Sequence, residues 1–140
     1  MINRRQLLAL LATPLLAKTA QAATPLTFGD LYVRQGQFSP RLNELTRQNV
    51  TMRGFMAPPL KAEAKFFVLT KMPMASCPFC GSEIEWPDDI VVVNTSSLLT
   101  PIDFNILIEV SGTLELGSKT DPETGFLSLI RIVDATFKRA

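Results

Sequence analysis

Between Ile106 and Leu116 the chain alternates with a period of two: Ile106, Ile108, Val110, Gly112, Leu114 and Leu116 fall on one side, and Glu109, Ser111, Thr113 and Glu115 on the other. Successive side chains of an extended strand point to opposite faces, so this run predicts a long strand at 105–116 with one buried face and one wet face. Its apolar side must be covered, and the sequence supplies further strands for the purpose. Val50-Thr51-Met52-Arg53-Gly54-Phe55-Met56 reads as a strand at 50–56 that Pro58-Pro59 stops, with Gly54 marking a bulge or a close backbone approach. The apolar runs at 65–70 and 90–94 have strand length and predict buried strands. Asp121-Pro122-Glu123-Thr124-Gly125 is a turn-forming group, and Phe126 to Phe137 returns as a strand at 126–137 with apolar residues on both faces, completing a hairpin.

Helices have little room. Ser39-Pro40 places an N-cap before a proline at the first helical position and predicts a short helical turn to about Leu45; Ser96 to Asp103 is the other stretch with space for one. Five strands left open would present unpaired edges, so the expected fold is mainly β, a small five-stranded antiparallel barrel over 39–140 with one or two short helices, preceded by an extension at 23–38.

The succession of Leu45, Val50, Arg53-Gly54-Phe55-Met56 and Pro58, then a short strand, a cysteine-bearing loop and Val110-Ser111-Gly112-Thr113-Leu114, resembles a group of small exported bacterial proteins of unknown function with OB-like barrels. The resemblance runs over roughly residues 39 to 137 and implies an OB-like barrel. Where such proteins carry a cysteine followed by histidine and prolines, this chain has Cys77-Pro78-Phe79-Cys80, so the resemblance implies a fold and no ligand chemistry.

Residues 1–22 read as an export signal. Arg4 and Arg5 precede an apolar run from Leu7 to Ala17, and Ala20-Gln21-Ala22 forms a small-residue cleavage site. The run is too short for the roughly 20 residues that span a bilayer, and no later segment approaches that length, so no stable membrane span is expected after signal removal. Asn3-Arg4-Arg5-Gln6-Leu7-Leu8 resembles a twin-arginine signal without the usual Ser or Thr before the arginines, which leaves that route and the general secretory route both open. Either leads to a periplasmic or exported protein. Loss of Arg4, Arg5 and Lys18 with the signal takes the formal net charge from +1 to −2, and the remaining basic residues are scattered, so nothing favours nucleic acid as a partner.

The chain has no histidine and two cysteines, both in Cys77-Pro78-Phe79-Cys80-Gly81. Three chemistries suit the pair. As metal ligands, Cys77 and Cys80 sit in a motif that resembles the knuckle of rubredoxins and zinc ribbons, where two thiolates share a tetrahedral ion and two more ligands are required. Glu83, Glu85, Asp88 or Asp89, or a second chain in a homodimer with a four-cysteine site, would complete a zinc shell; Met72 and Met74 would favour copper as Cu(I). As a thiol-disulfide oxidoreductase, which the pair's resemblance to that of glutaredoxins suggests, Cys77 would attack and Cys80 resolve. Gly81 and Pro87 leave little helix to lower the thiol pKa. As a local disulfide in an oxidising compartment, the pair would tighten one turn.

Trp86, the single tryptophan, is a candidate interaction anchor or a cap on the barrel mouth, and Glu83 to Asp89 is an acidic solvated loop or a surface for a cationic partner. With no histidine to activate a serine, no nucleophile elbow and no phosphate-binding glycine loop, hydrolase and nucleotide-dependent activities are unsupported, and no catalytic residue is assigned. The expectation is a non-enzymatic binding or accessory protein acting on an envelope partner, with 72–89 as the functional loop.

Overall fold

A computed structural model describes residues 14, 22–34, 36–59, 64–75 and 89–140. In chain order the elements are β1 (Thr24–Pro25), a 3-10 turn (Phe28–Asp30), β2 (Tyr32–Arg34), β3 (Gln37–Phe38), α1 (Pro40–Glu44), β4 (Asn49–Met56), β5 (Phe66–Thr70), β6 (Ile90–Thr95), β7 (Ile108–Thr120) and β8 (Leu127–Arg139). The fold is mainly β with one short α-helix among the described residues. Helix α1 starts where Ser39 Oγ accepts the Leu42 N–H at 3.0 Å and Pro40 occupies the first turn, where its missing N–H costs nothing. No helix among the described residues is long and apolar enough to cross a membrane.

Six strands form one mixed sheet in the order β1-β4-β5-β6-β8-β7, and β4 also pairs with β7. The pairings therefore run round from β4 through β5, β6, β8 and β7 back to β4. An all-antiparallel sheet is not what forms: β1 lies parallel to β4, and β6 parallel to β8. The parallel pair arises because β8, returning from β7 as a hairpin, inserts between β7 and β6 and takes its direction from β7.

Gly54 is the point at which β4 changes partner. Asn49 to Gly54 pair with β7, and Phe55 and Met56 pair with β5. A Cβ on Gly54 would lie 2.7 Å from the Thr70 carbonyl oxygen, so the crossing of these strands requires glycine. A second close approach pins β8. Between Ser111/Thr113 on β7 and Val93/Thr95 on β6, both ladders shift register by one extra β8 residue, next to Asp134 at φ 50°. That is a β-bulge, and Gly112 lies against it, where a Cβ would meet Val133 O and Ile132 Cγ2 at 2.7 Å.

The alternation along β4 and β7 sends Val50, Met52, Met56, Ile108, Val110 and Leu114 inward to meet Phe67, Leu69, Val91, Val93, Ile130 and Ile132. Burying each such side chain stabilises the fold by about 1.5–3 kcal/mol. Segment 23–38 adds Leu26 and Leu31 to this core. It is tied down by Arg41 Nη2 donating to Pro25 O, Ser39 N–H to Leu31 O and Ser39 Oγ to Asp30 O. The outward residues of β5 and β6, Phe66, Val68, Ile90 and Val92, form a second cluster with Ala57, on which Phe126 packs. Both strands are thus buried on two faces, as their unbroken apolar runs predict.

The stretch Ser96 to Asp103 is irregular rather than helical. Pro101 disfavours a helical Thr100, and the segment is held across the sheet instead, with Leu99 N–H donating to Ala64 O and Ile102 N–H directed at Met56 Sδ. The long strand begins at Ile108 rather than 105, because Ile106 N–H closes a turn on Asp103 O.

Candidate functional site

β5 and β6 pair in antiparallel register from Phe66↔Asn94 to Thr70↔Ile90, so the chain leaves the sheet after Thr70 and re-enters at Ile90 beside it. Lys71 N–H donates to Asp89 O at 3.2 Å, one step beyond the last strand pair. Thr70, fully buried, donates its hydroxyl to Met72 O at 2.7 Å and sits 3.3 Å from Phe55 O. Lys71 and Asp89, which flank residues 72–88, therefore meet at one end of the β5–β6 pair.

Of the candidate ligands, Met72 stands on the outgoing stem and is 64% exposed, Met74 is half-buried, and Asp89 supplies its backbone carbonyl to Lys71. Cys77, Cys80, Glu83, Glu85, Trp86 and Asp88 lie outside the described residues. Among the described residues no group of three or more acidic, cysteine or histidine side chains is placed to hold a metal ion. A groove of about 510 Å³ adjoins the foot of the insert, running from Lys71 past Gly54 and Arg53 to Leu107, Phe28 and Leu26. Arg53 Nε bonds Glu109 Oε2 at 3.1 Å on its outer lip.

At the far end of the 3-10 turn, Asp30 Oδ2 accepts both the N–H and the hydroxyl of Thr27, at 3.0 and 2.9 Å. The Thr27 backbone N–H, then its hydroxyl, hold the Asp30 carboxyl below the usual carboxylate range against a small opposing effect of burial, with Arg41 adding a weak attraction. The role is structural.

A second polar cluster, on the opposite side of β5 and β6 from the core, carries no sequence motif. Val68, Val92, Arg131 and Glu115 are successive cross-strand partners in one row over four strands. The Arg131 side chain is only 4% exposed although Ile130 and Ile132 flank it. Its Nε donates to Glu115 Oε1 at 2.9 Å, and its Nη1 reaches Gly117 O at 2.7 Å, Ser128 O at 3.1 Å and Ser128 Oγ at 3.0 Å. A buried cation needs this degree of satisfaction. The one available sequence signal was an arginine inside an apolar strand pattern.

No protein-family model matches the sequence, and no curated protein matches it. Among solved structures, the chain is similar to the crystal structure of a DUF3299 family protein from Pseudomonas aeruginosa PAO1, with a TM-score of 0.52 at 14% identity, covering 85% of this chain and 98% of that one. At that identity the likeness shows the fold and carries no activity across.

Proposed function

We propose that this chain is an exported, non-enzymatic accessory protein whose strands close into an OB-like barrel and whose β5–β6 insert handles a thiophilic metal ion, zinc or copper, for an envelope partner. The observation that carries the reading is the placement of the only two cysteines, at C-x-x-C spacing, within a segment whose two ends are pinned together by the Lys71–Asp89 bond. With Lys71 and Asp89 already together, a ligand held between them does not have to bring the two ends of the segment to one place, which lowers the entropic cost of binding. Cys77 and Cys80 supply thiolate sulfur, and Met72 and Met74 lie on the stem that leads to them. Glu83, Asp88 or a second copy of the chain complete the shell. The circuit of pairings from β4 back to β4 and the β6–β8 parallel pair support the barrel reading.

The test is native mass spectrometry, with denaturing mass analysis, on protein recovered from a periplasmic extract without chelators. A zinc or copper adduct, lost in both Cys77→Ser and Cys80→Ser, is expected. A metal-free monomer lighter by two hydrogens overturns the metal reading in favour of a disulfide. Mixed disulfides trapped with partners by Cys80→Ser overturn it in favour of thiol exchange.

A further inference from the structure

β4 is not covered along its whole length. On one side β1 pairs only with Val50 and Thr51, and β5 takes over only at Phe55. Thr51 O accepts from Leu26 N–H and Ala57 N–H donates to Val68 O; residues an even number apart in a strand point their peptide groups the same way, so β1 and β5 share that side. Between them Met52, Arg53 and Gly54 have β7 on their other side and no strand on this one. The groove of about 510 Å³ occupies this gap. Three residues span roughly 10 Å, against five or six residues for an ordinary strand, and the chain beyond β1 and the chain beyond β5 lie at its two ends, so an added strand does not fit.

The gap opens onto the core. Leu26 and Met52, both buried members of the central cluster, line the groove, and Phe28, which packs on that cluster, joins them. Leu107 adds an apolar wall that is 41% exposed. The polar side chains of the lining are mostly engaged with one another or with neighbours. Thr27 donates its hydroxyl to Asp30 Oδ2, Thr51 Oγ1 accepts from Ser111 Oγ at 3.2 Å, and Arg53 bonds Glu109. Glu109 also has Lys138 Nζ at 3.9 Å, so its one negative charge faces two cations. Lys71 enters none of the ion pairs among the described residues. The lining therefore carries two cations, Arg53 and Lys71, against the single carboxylate of Glu109.

We propose that this groove binds a free medium-chain fatty acid, with its acyl chain on Leu26, Phe28, Met52 and Leu107 and its carboxylate toward Lys71. The volume is that of a small-molecule pocket. A sugar or a nucleotide needs several directional hydrogen bonds, for which this lining supplies few side-chain groups, whereas an acyl chain needs none and continues the core through the gap in the sheet. The excess of one positive charge in the lining matches one carboxylate and disfavours a cationic head. The groove is complete without Cys77 or Cys80, so this proposal stands or falls independently of the metal reading.

The experiment is a titration of the 15N-labelled protein by two-dimensional NMR with octanoate, decanoate and decyltrimethylammonium, each kept monomeric. Saturable shifts are expected at residues 26–29, 52–54 and 107, with decanoate about 15-fold tighter than octanoate, or about fourfold for each added methylene. The cationic amphiphile should bind more weakly than decanoate, and added salt should narrow the difference. Leu107→Asp, at a half-exposed position, should weaken decanoate about tenfold or more with Tm little changed, and Lys71→Glu should weaken it about fivefold. No saturable shift at millimolar decanoate overturns the proposal, and so does equal binding of octanoate and decanoate or of decanoate and the cation. A folded Leu107→Asp protein that binds decanoate as the parent does places the ligand elsewhere and overturns it too. Shifts at these residues on phosphatidylglycerol vesicles, with none from monomeric decanoate, overturn it in favour of a membrane surface.

Discussion

Replacing Gly112 with alanine tests the β7–β8–β6 packing directly. The added Cβ would sit 2.7 Å from Val133 O, 2.7 Å from Ile132 Cγ2 and 3.1 Å from Ala135 Cα. Ordinary contact needs roughly 0.5–1 Å more. Ile132 could rotate, but the other two atoms are backbone, so β8 must move, and it is hydrogen-bonded to β6 on its far side. Overpacking of this kind costs about 1–3 kcal/mol. Against it stands the gain of about 0.4–1 kcal/mol from restricting the unfolded chain, which applies because Gly112 is not at positive φ. The net is a loss of about 1–2 kcal/mol, or roughly 4–8 °C in Tm for a chain of this size. Urea unfolding followed by far-ultraviolet circular dichroism reads it as a lowered midpoint with an unchanged slope. Gly29→Ala is the control, since its Cβ meets nothing nearer than Thr27 Oγ1 at 3.7 Å, and it should change stability by less than about 0.5 kcal/mol. A Gly112→Ala protein as stable as the parent would refute the close β7–β8 approach.

Two further substitutions address the N-terminal segment. Ser39→Ala removes both the acceptor for Leu42 N–H and the donor to Asp30 O at a buried position, so a loss of about 1–2 kcal/mol in urea unfolding is expected, and a change under about 0.5 kcal/mol would contradict that role. Asp30 has a folded-state pKa below its unfolded value, so its contribution is complete above about pH 4 and disappears as pH falls through the folded pKa. Asp30→Asn should therefore lower Tm at pH 6 and flatten the fall in Tm between pH 5 and pH 3; an unchanged acid limb would show that Asp30 does not carry it.

What the sequence discloses about the fold depends on how local the cause is. The alternation at Ile108–Leu116 and the Ser39 cap are set by neighbours in the chain and are read from it directly, whereas Gly54 announces a close approach without naming its partner, Thr70 on β5. Gly117 invites a turn, yet β7 runs on to Thr120, because pairing with β8 resumes after a register shift between Leu116 and Lys119 and absorbs the positive φ. The parallel β6–β8 pair has no local signature, being fixed by where β8 fits once the hairpin forms. The insert was visible from its cysteines. Asn94 and Arg131, by contrast, look like an edge residue and a stray charge, and only the register between two strands distant in sequence brings them to one cavity.

The position of β8 between β6 and β7 also governs the order of assembly. Until Leu127–Arg139 is in place, β6 has only β5 as a neighbour and β7 only β4, so a nascent chain short of that strand exposes two apolar strand edges at once. The contact that removes the first of them joins Val92 to Arg131 across a long intervening stretch, the kind of non-local closure that slows folding. β8 is therefore the strand that joins the two halves of the circuit, and a chain from which it is withheld keeps both edges open.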